Sequence, residues 1–277
     1  MNGRRYSVGV IAFGMCVASS LLAIPSGASA DAGRIGYAGP ARGITQTGSI
    51  IDNASQQFAS RNWDGYITYV SSAGTDFNAV NATWVQPTVT CEAANAWTVF
   101  WVGLDGWWNN TVEQGGSEAY CATVGGAPTY NLWWEMFPTN SIQTGLVINA
   151  GDKITASVKY ATATSVFTIT VKDVTSGRSL TKHELCGTGL VCSRSSADVI
   201  TEDVGRFGSG NYFPLAKYGT MRYAAAGVID TAGNTGTISG SHWLNAAVTE
   251  SSGGITYATV GPLSSLGNAF STTWKHQ

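Results

Sequence analysis

The stretch KITASVKY, residues 153–160, decides the fold class. Ile154, Ala156, Val158 and Tyr160 fall on alternate positions, and Phe167, Ile169 and Val171 repeat the pattern in SVFTITVKD (165–173) against Thr168, Thr170 and Lys172. A period of two turns one set toward a core and the other toward water, which is the mark of a half-buried strand. TSG at 175–177 then reads as a hairpin turn leading into RSLTKHEL.

Runs of similar texture recur near 63–71, 77–86, 96–104, 129–137, 141–148, 196–204, 219–228, 235–243, 246–250, 255–260 and 268–274, and nothing after residue 30 has a helical period. Many short strands joined by Gly-rich turns predict an all-β chain, an antiparallel β-sandwich of two packed sheets. The absence of an internal repeat of about 20–50 residues argues against a propeller or solenoid.

The chain opens MNGRRYSVGVIAFGMCVASSLLAIPSGASA, two arginines followed by an apolar run and Ala28-Ser29-Ala30. This reads as a secretory signal over 1–30, with a small-residue cleavage site. Residues 31–61 are poor in large apolar residues and are expected to form a flexible N-terminal segment or a short pro-segment; 62–277 is the expected sandwich domain. With 17 acidic and 15 basic residues and no basic run, the charge argues against nucleic acid or an anionic membrane as partner. A secreted, extracellular monomer with no membrane contact after signal cleavage is the expectation.

Cys16 leaves with the signal, and four cysteines remain: Cys91, Cys121, Cys186 and Cys192. An even count in an exported chain predicts two disulfides, with three pairings open. The short loop CGTGLVC favours Cys186–Cys192, which leaves Cys91–Cys121. No histidine stands at zinc spacing from these cysteines, since His183, His242 and His276 are scattered, so no metal or other cofactor is expected.

Reactive side chains are few. There is no G-x-S-x-G elbow and no H-E-x-x-H pair, and paired cysteines are not nucleophiles. Carboxylates remain: Asp105 in WVGLDG, Glu113 and Glu118 beside Gln114 in TVEQGGSE, Glu135 in NLWWEMFP, and Asp198, Glu202 and Asp203 in SADVITED. Alternation places Glu135 on the face of Trp133 and Phe137, and Glu202 on the face of Asp198 and Ile200. Asp203 reads as a solvated strand end. Eight of the ten tryptophans lie between Trp63 and Trp134, enough to line a groove for a peptide or a sugar. Peptide hydrolysis, a carbohydrate-binding lectin-like module, and a glycosidase built on two of these carboxylates all remain open on these residues alone.

Taken in order, NWDGY (62–66), AWTVFWVGLDG (96–106), VEQGG (112–116), WWEMFP (133–138) and SADVITED (196–203) resemble the glutamic peptidases, or eqolisins, a family of secreted acid proteases. The resemblance covers residues 62 to 230 or so. It implies a lectin (concanavalin A)-like sandwich and an endopeptidase acting on polypeptide substrates. It also implies that Gln114 and Glu202 are the catalytic pair, with Trp101, Asp105, Glu118 and Glu135 in supporting or substrate-binding positions. A carboxylate can take a proton from water and return it to a departing amine, while a carboxamide stabilises the oxyanion. A free Glu titrates near pH ~4.3, so an acid optimum is expected.

Overall fold

The computed structural model describes residues 1, 3, 36–48, 56–70, 74–139, 141–206 and 210–276. The chain divides into two units, Met1–Arg34 and Ile35–Gln277. Apart from Met1 and Gly3, the expected signal lies outside the described residues, and everything below concerns the second unit.

Its strands are β1 (Gly36–Tyr37), β2 (Thr45–Gly48), β3 (Gln56–Ser60), β4 (Trp63–Tyr69), β5 (Phe77–Val85), β6 (Ala96–Leu104), β7 (Val112–Cys121), β8 (Thr129–Phe137), β9 (Ile142–Val147) and β10 (Lys153–Ala161). They continue as β11 (Val166–Asp173), β12 (Ser179–Leu185), β13 (Ser196–Glu202), β14 (Gly205–Arg206), β15 (Thr220–Asp230), β16 (Thr235–Gly236), β17 (Leu244–Ser252), β18 (Ile255–Val260) and β19 (Phe270–Trp274). A front layer runs β3–β17–β4–β13–β6–β7–β8–β9 and a back layer β19–β15–β5–β10–β11–β12. Because β18 pairs with both β17 and β19, the two layers are one sheet folded over on itself. The pairing is antiparallel except between β3 and β17. Residues 31–61, expected to form a flexible lead-in or a short pro-segment, contribute three strands among the described residues, two of which, β2 and β3, extend the edge of the front layer.

The layers differ in how they meet water. Strands β10 and β11 alternate between buried and more exposed positions, whereas every residue of β4, β6 and β13 is buried. One set of front-layer side chains, including Phe100, Val102, Val199 and Leu132, packs into the core between the layers against Trp84, Val158 and Ile169. The opposite set, including Trp63, Trp101, Trp133 and Ile200, forms a second apolar cluster on the outer face, joined there by Ala38 and Ala41. A fully buried indole removes roughly 150–250 Å² from water, on the order of 4–6 kcal/mol by area before entropy losses. Four such rings, Trp63, Trp101, Trp107 and Trp133, make a rigid apolar wall on this face. Cys91 pairs with Cys121 and Cys186 with Cys192, the pairing favoured by the short loop.

Candidate functional site

Glu202, at the end of β13, lies opposite Val99 of β6 and Trp63 of β4. Gln114, in β7, lies opposite Gly103 of β6 and Glu135 of β8. Strand alternation therefore turns Glu202, Gln114, Glu135, Trp101 and Trp133 to the same outer face.

Glycine at 103 shapes the space between them. A Cβ there would stand 2.8 Å from the Trp101 ring and 3.1 Å from the Gln114 Cβ. With no side chain in the way, the indole lies along the strand and aims its Nε1–H at Glu202 Oε2, 2.9 Å away. The other carboxyl oxygen, Oε1, accepts from Asn62 Nδ2 at 2.9 Å and from the Gly39 backbone N–H at 2.9 Å. Burial is the largest influence on Glu202 and raises its pKa to about 8, against the donors at Gly39, Asn62 and Trp101, which favour the charged form.

Gln114 is fully buried, and its amide orientation is set by two acceptors: Nε2 donates to Glu135 Oε2 at 2.9 Å and to the Ala38 carbonyl at 2.8 Å. Its Oε1 is a buried acceptor with no hydrogen-bond partner among the described residues. Among the aromatic rings, Glu135 has Gln114 as its hydrogen-bond partner. Burial, then the nearby Glu202 charge, holds the Glu135 pKa well above the usual carboxylate range, opposed by the bonds from Gln114 and the Ala38 N–H. The site accordingly favours a neutral Glu135.

The remaining candidates stand further off. Glu118 shares the face of Gln114 but lies four residues along β7, about 13 Å at strand rise, where Trp97 Nε1 (3.0 Å), Asn131 Nδ2 (3.2 Å) and Gln143 Nε2 (2.7 Å) hold its carboxylate. Asp105 follows β6 at φ 69° beside Gly106 at φ 98°, a left-handed pair that turns the chain out of the strand. Its Oδ1 accepts from the Ser195 N–H at 2.8 Å and from Asn109 Nδ2 at 2.6 Å, so it ties the β6 turn to the lead-in of β13. Asp198, on the face of Glu202, bonds Ser196 Oγ at 3.1 Å, and the charge it feels is that of Asp105.

Asp203 is corrected. It is not a solvated strand end: only 6% of it is exposed, and burial raises its pKa, as does the Glu202 charge. With Asp64 and Glu250 it belongs to a group of buried carboxyls beneath the site, all raised first by burial. Asn62 and residues 38–41 are the participants that the sequence reading did not assign. A cavity of about 640 Å³ beside Trp84, Lys153 and Arg222 lies on the back layer and has no acidic lining residue. No group of three or more His, Cys, Asp or Glu among the described residues is arranged to hold a metal ion, and no helix among them is long and apolar enough to cross a membrane.

Fold and site together define an all-β sandwich protein with a buried carboxyl and carboxamide converging on one face of a tryptophan-walled sheet. The chain belongs to the Peptidase A4 family, whose model matches residues 61–265, in agreement with the glutamic peptidase resemblance. It is 33% identical over 154 residues to scytalidopepsin B of Scytalidium lignicola, an alignment spanning 54% of this chain and 55% of that relative, so the chain spans about half the length of the curated relative it matches. Among solved structures it resembles scytalido-glutamic peptidase with a transition state analog inhibitor at TM-score 0.65 and 23% identity, covering 78% of this chain and 98% of that one. Aspergilloglutamic peptidase from Aspergillus niger follows at TM-score 0.55 and 22% identity, covering 65% and 99%. These likenesses establish the two-layer sandwich.

Proposed function

We propose that this chain is a secreted acid endopeptidase in which Glu202 activates water and Gln114 stabilises the oxyanion. One observation carries the reading: the Gln114 amide and the Glu202 carboxyl engage the two ends of a single peptide unit, Gln114 Nε2 at its carbonyl oxygen and Glu202 Oε1 at its nitrogen. Hydrolysis needs those two placements. As water adds to a carbonyl carbon and loses a proton to Glu202, negative charge grows on the oxygen facing Gln114 Nε2. The proton then passes from Glu202 to the nitrogen as the C–N bond breaks. Gln114 Oε1 is the acceptor that orients the water.

The acid optimum follows from exposure. Glu202 reaches about 8 chiefly because residues 38–41 and the indole wall exclude water. A site open to solvent brings it back toward ~4.3, where its base form persists in acid. Two disulfides and the leader-like first thirty residues support export. The test is digestion of an unfolded protein across about pH 2–7, the span around a free Glu, by the wild type and by Glu202→Gln. Cleavage in acid that is lost in the variant is expected. No cleavage at any of these pH values, or full activity in the variant, overturns the proposal.

A further inference from the structure

The cavity on the back layer is separate from the Glu202 site and is built of different chemistry. At about 640 Å³ it has the volume of a small-molecule site. It lies on the outer side of β5, where Val85 is 55% exposed. Lys153 of β10 stands opposite Val85, and Tyr223 of β15 stands opposite Trp84, which puts Arg222 on the other flank of Val85. At sheet spacing the two basic residues are about 10 Å apart at Cα, so their long side chains can converge above the valine.

Neither cation is matched. Among the described residues the side chains of Lys153 and Arg222 make no ion pair and no hydrogen bond, and no acidic residue lines the cavity. In a chain with 17 acidic and 15 basic residues, two like charges flanking one exposed valine call for an anion. The adjoining wall is apolar, with Pro87 on the β5 side and Ala224 and Ala225 on β15. Between Ala224 and Gly227 the pairing with β5 slips, and Ala225 takes a left-handed φ of 50°, so one extra residue is pushed out of the ladder at this wall. Gln86, also in the wall, is 1% exposed, and neither polar atom of its carboxamide has a partner among the described residues. Trp84, the aromatic residue of the lining, turns its indole into the core and donates to Ser117 Oγ at 2.9 Å. No aromatic face is therefore offered for a sugar to stack on.

We propose that this trough binds the C-terminal end of a peptide whose last residue is apolar. Lys153 and Arg222 share the free α-carboxylate, the guanidinium as a fork of donors and the ammonium as a point charge. The last side chain lies over Val85, against Pro87 and Ala224. The peptide end as source rests on the peptidase reading above, under which each bond hydrolysed frees one α-carboxylate; the need for an anion on an apolar body rests on the trough alone. The back layer thus gives the molecule a second peptide-binding surface, one that holds a cut end without cutting.

The test is calorimetric titration of the full-length Glu202→Gln protein with N-acetyl-leucine near pH 6, above the α-carboxylate value of ~3.5. N-acetyl-leucinamide, octanoate and acetate are titrated alongside, and the NMR signals of the Val85 methyl groups report the location. Saturable binding of N-acetyl-leucine that shifts the Val85 signals is expected. It should weaken about 10- to 100-fold with the amide, and by a similar factor in Lys153→Gln and in Arg222→Gln, each retaining its melting transition. It should also fade as the pH drops below ~3.5 and the ligand loses its charge. No saturable binding, equal binding of acid and amide, binding of octanoate or acetate as tight as that of N-acetyl-leucine, or binding unchanged when both cations are replaced overturns the inference. Because the titration needs no turnover, such a failure leaves the peptidase reading standing, and loss of the digestion described above would overturn that reading separately.

Discussion

Trp101 and Glu202 lie on neighbouring strands two positions out of register, yet Trp101 Nε1 meets Glu202 Oε2 at 2.9 Å because the indole reaches back from above Gly103. A hydrogen bond to a charged group contributes about 1.5–3 kcal/mol, so this bond favours the ionised form of Glu202. Trp101→Phe keeps most of the ring and deletes the donor. The expected outcome is a further rise in the Glu202 pKa and a loss in kcat/KM of about 10- to 100-fold, with the acid limb of the pH–kcat/KM profile displaced upward. An unmoved acid limb would show that the bond does not tune Glu202.

Gly103→Ala tests the same geometry from below. The added methyl meets the Trp101 ring at 2.8 Å and the Gln114 Cβ at 3.1 Å, so both side chains must shift. Overpacking of this kind costs about 1–3 kcal/mol. A modest fall in melting temperature with a much larger fall in activity is expected, measured by thermal unfolding and by peptide hydrolysis.

Glu135 separates charge from hydrogen bonding. If burial keeps it protonated, as the direction of its pKa indicates, Glu135→Gln preserves an acceptor for Gln114 Nε2 and changes no charge. Activity within a few-fold of wild type is expected. Glu135→Leu leaves the Gln114 amide one acceptor short and should cost about tenfold, the worth of roughly one hydrogen bond. Equal losses in the two variants would point instead to an ionised Glu135.

Stability should fall as pH rises. Asp64, Asp203 and Glu250 have folded pKa values raised chiefly by burial, and Glu202 is raised to about 8. The unfolded chain releases these protons near pH ~4 while the folded chain keeps them. Stability is therefore fully present below about pH 4 and is lost as pH climbs through the folded values. The melting temperature should be highest in acid and decline continuously to pH 8 and beyond, and Glu250→Gln should flatten that decline. A melting temperature that increases between pH 4 and pH 8 would contradict the sign.

The back layer was legible because its outer face meets water: alternation in β10 and β11 is a direct imprint of one wet side and one dry side. The front layer carries no such imprint. AWTVFWVGL is buried throughout, and the positions of Gln114 and Glu202 came from the ordered resemblance rather than from periodicity. Asn62 stood in plain view in NWDGY, but no local pattern marks an amide that will bridge a carboxyl to a distant carbonyl. Residues 38–41 were invisible for a related reason. Their burial comes from main-chain hydrogen bonds, which composition does not encode, while low apolar content reads as looseness. Asp203 was misread because a charge at a strand end is usually wet; here Asn62, Glu202 and the strands behind close over it.

The carboxyls beneath the site face little positive charge: Arg206 opposes the upward shift of Asp203, and no basic group among the described residues does so for Asp64 or Glu250. Their neutrality is supplied by hydrogen ions drawn from the surroundings. The acidity of the medium is in this sense a structural component, taken up on folding and withdrawn by any base. A molecule assembled this way carries its own territorial limit, set by where protons are abundant.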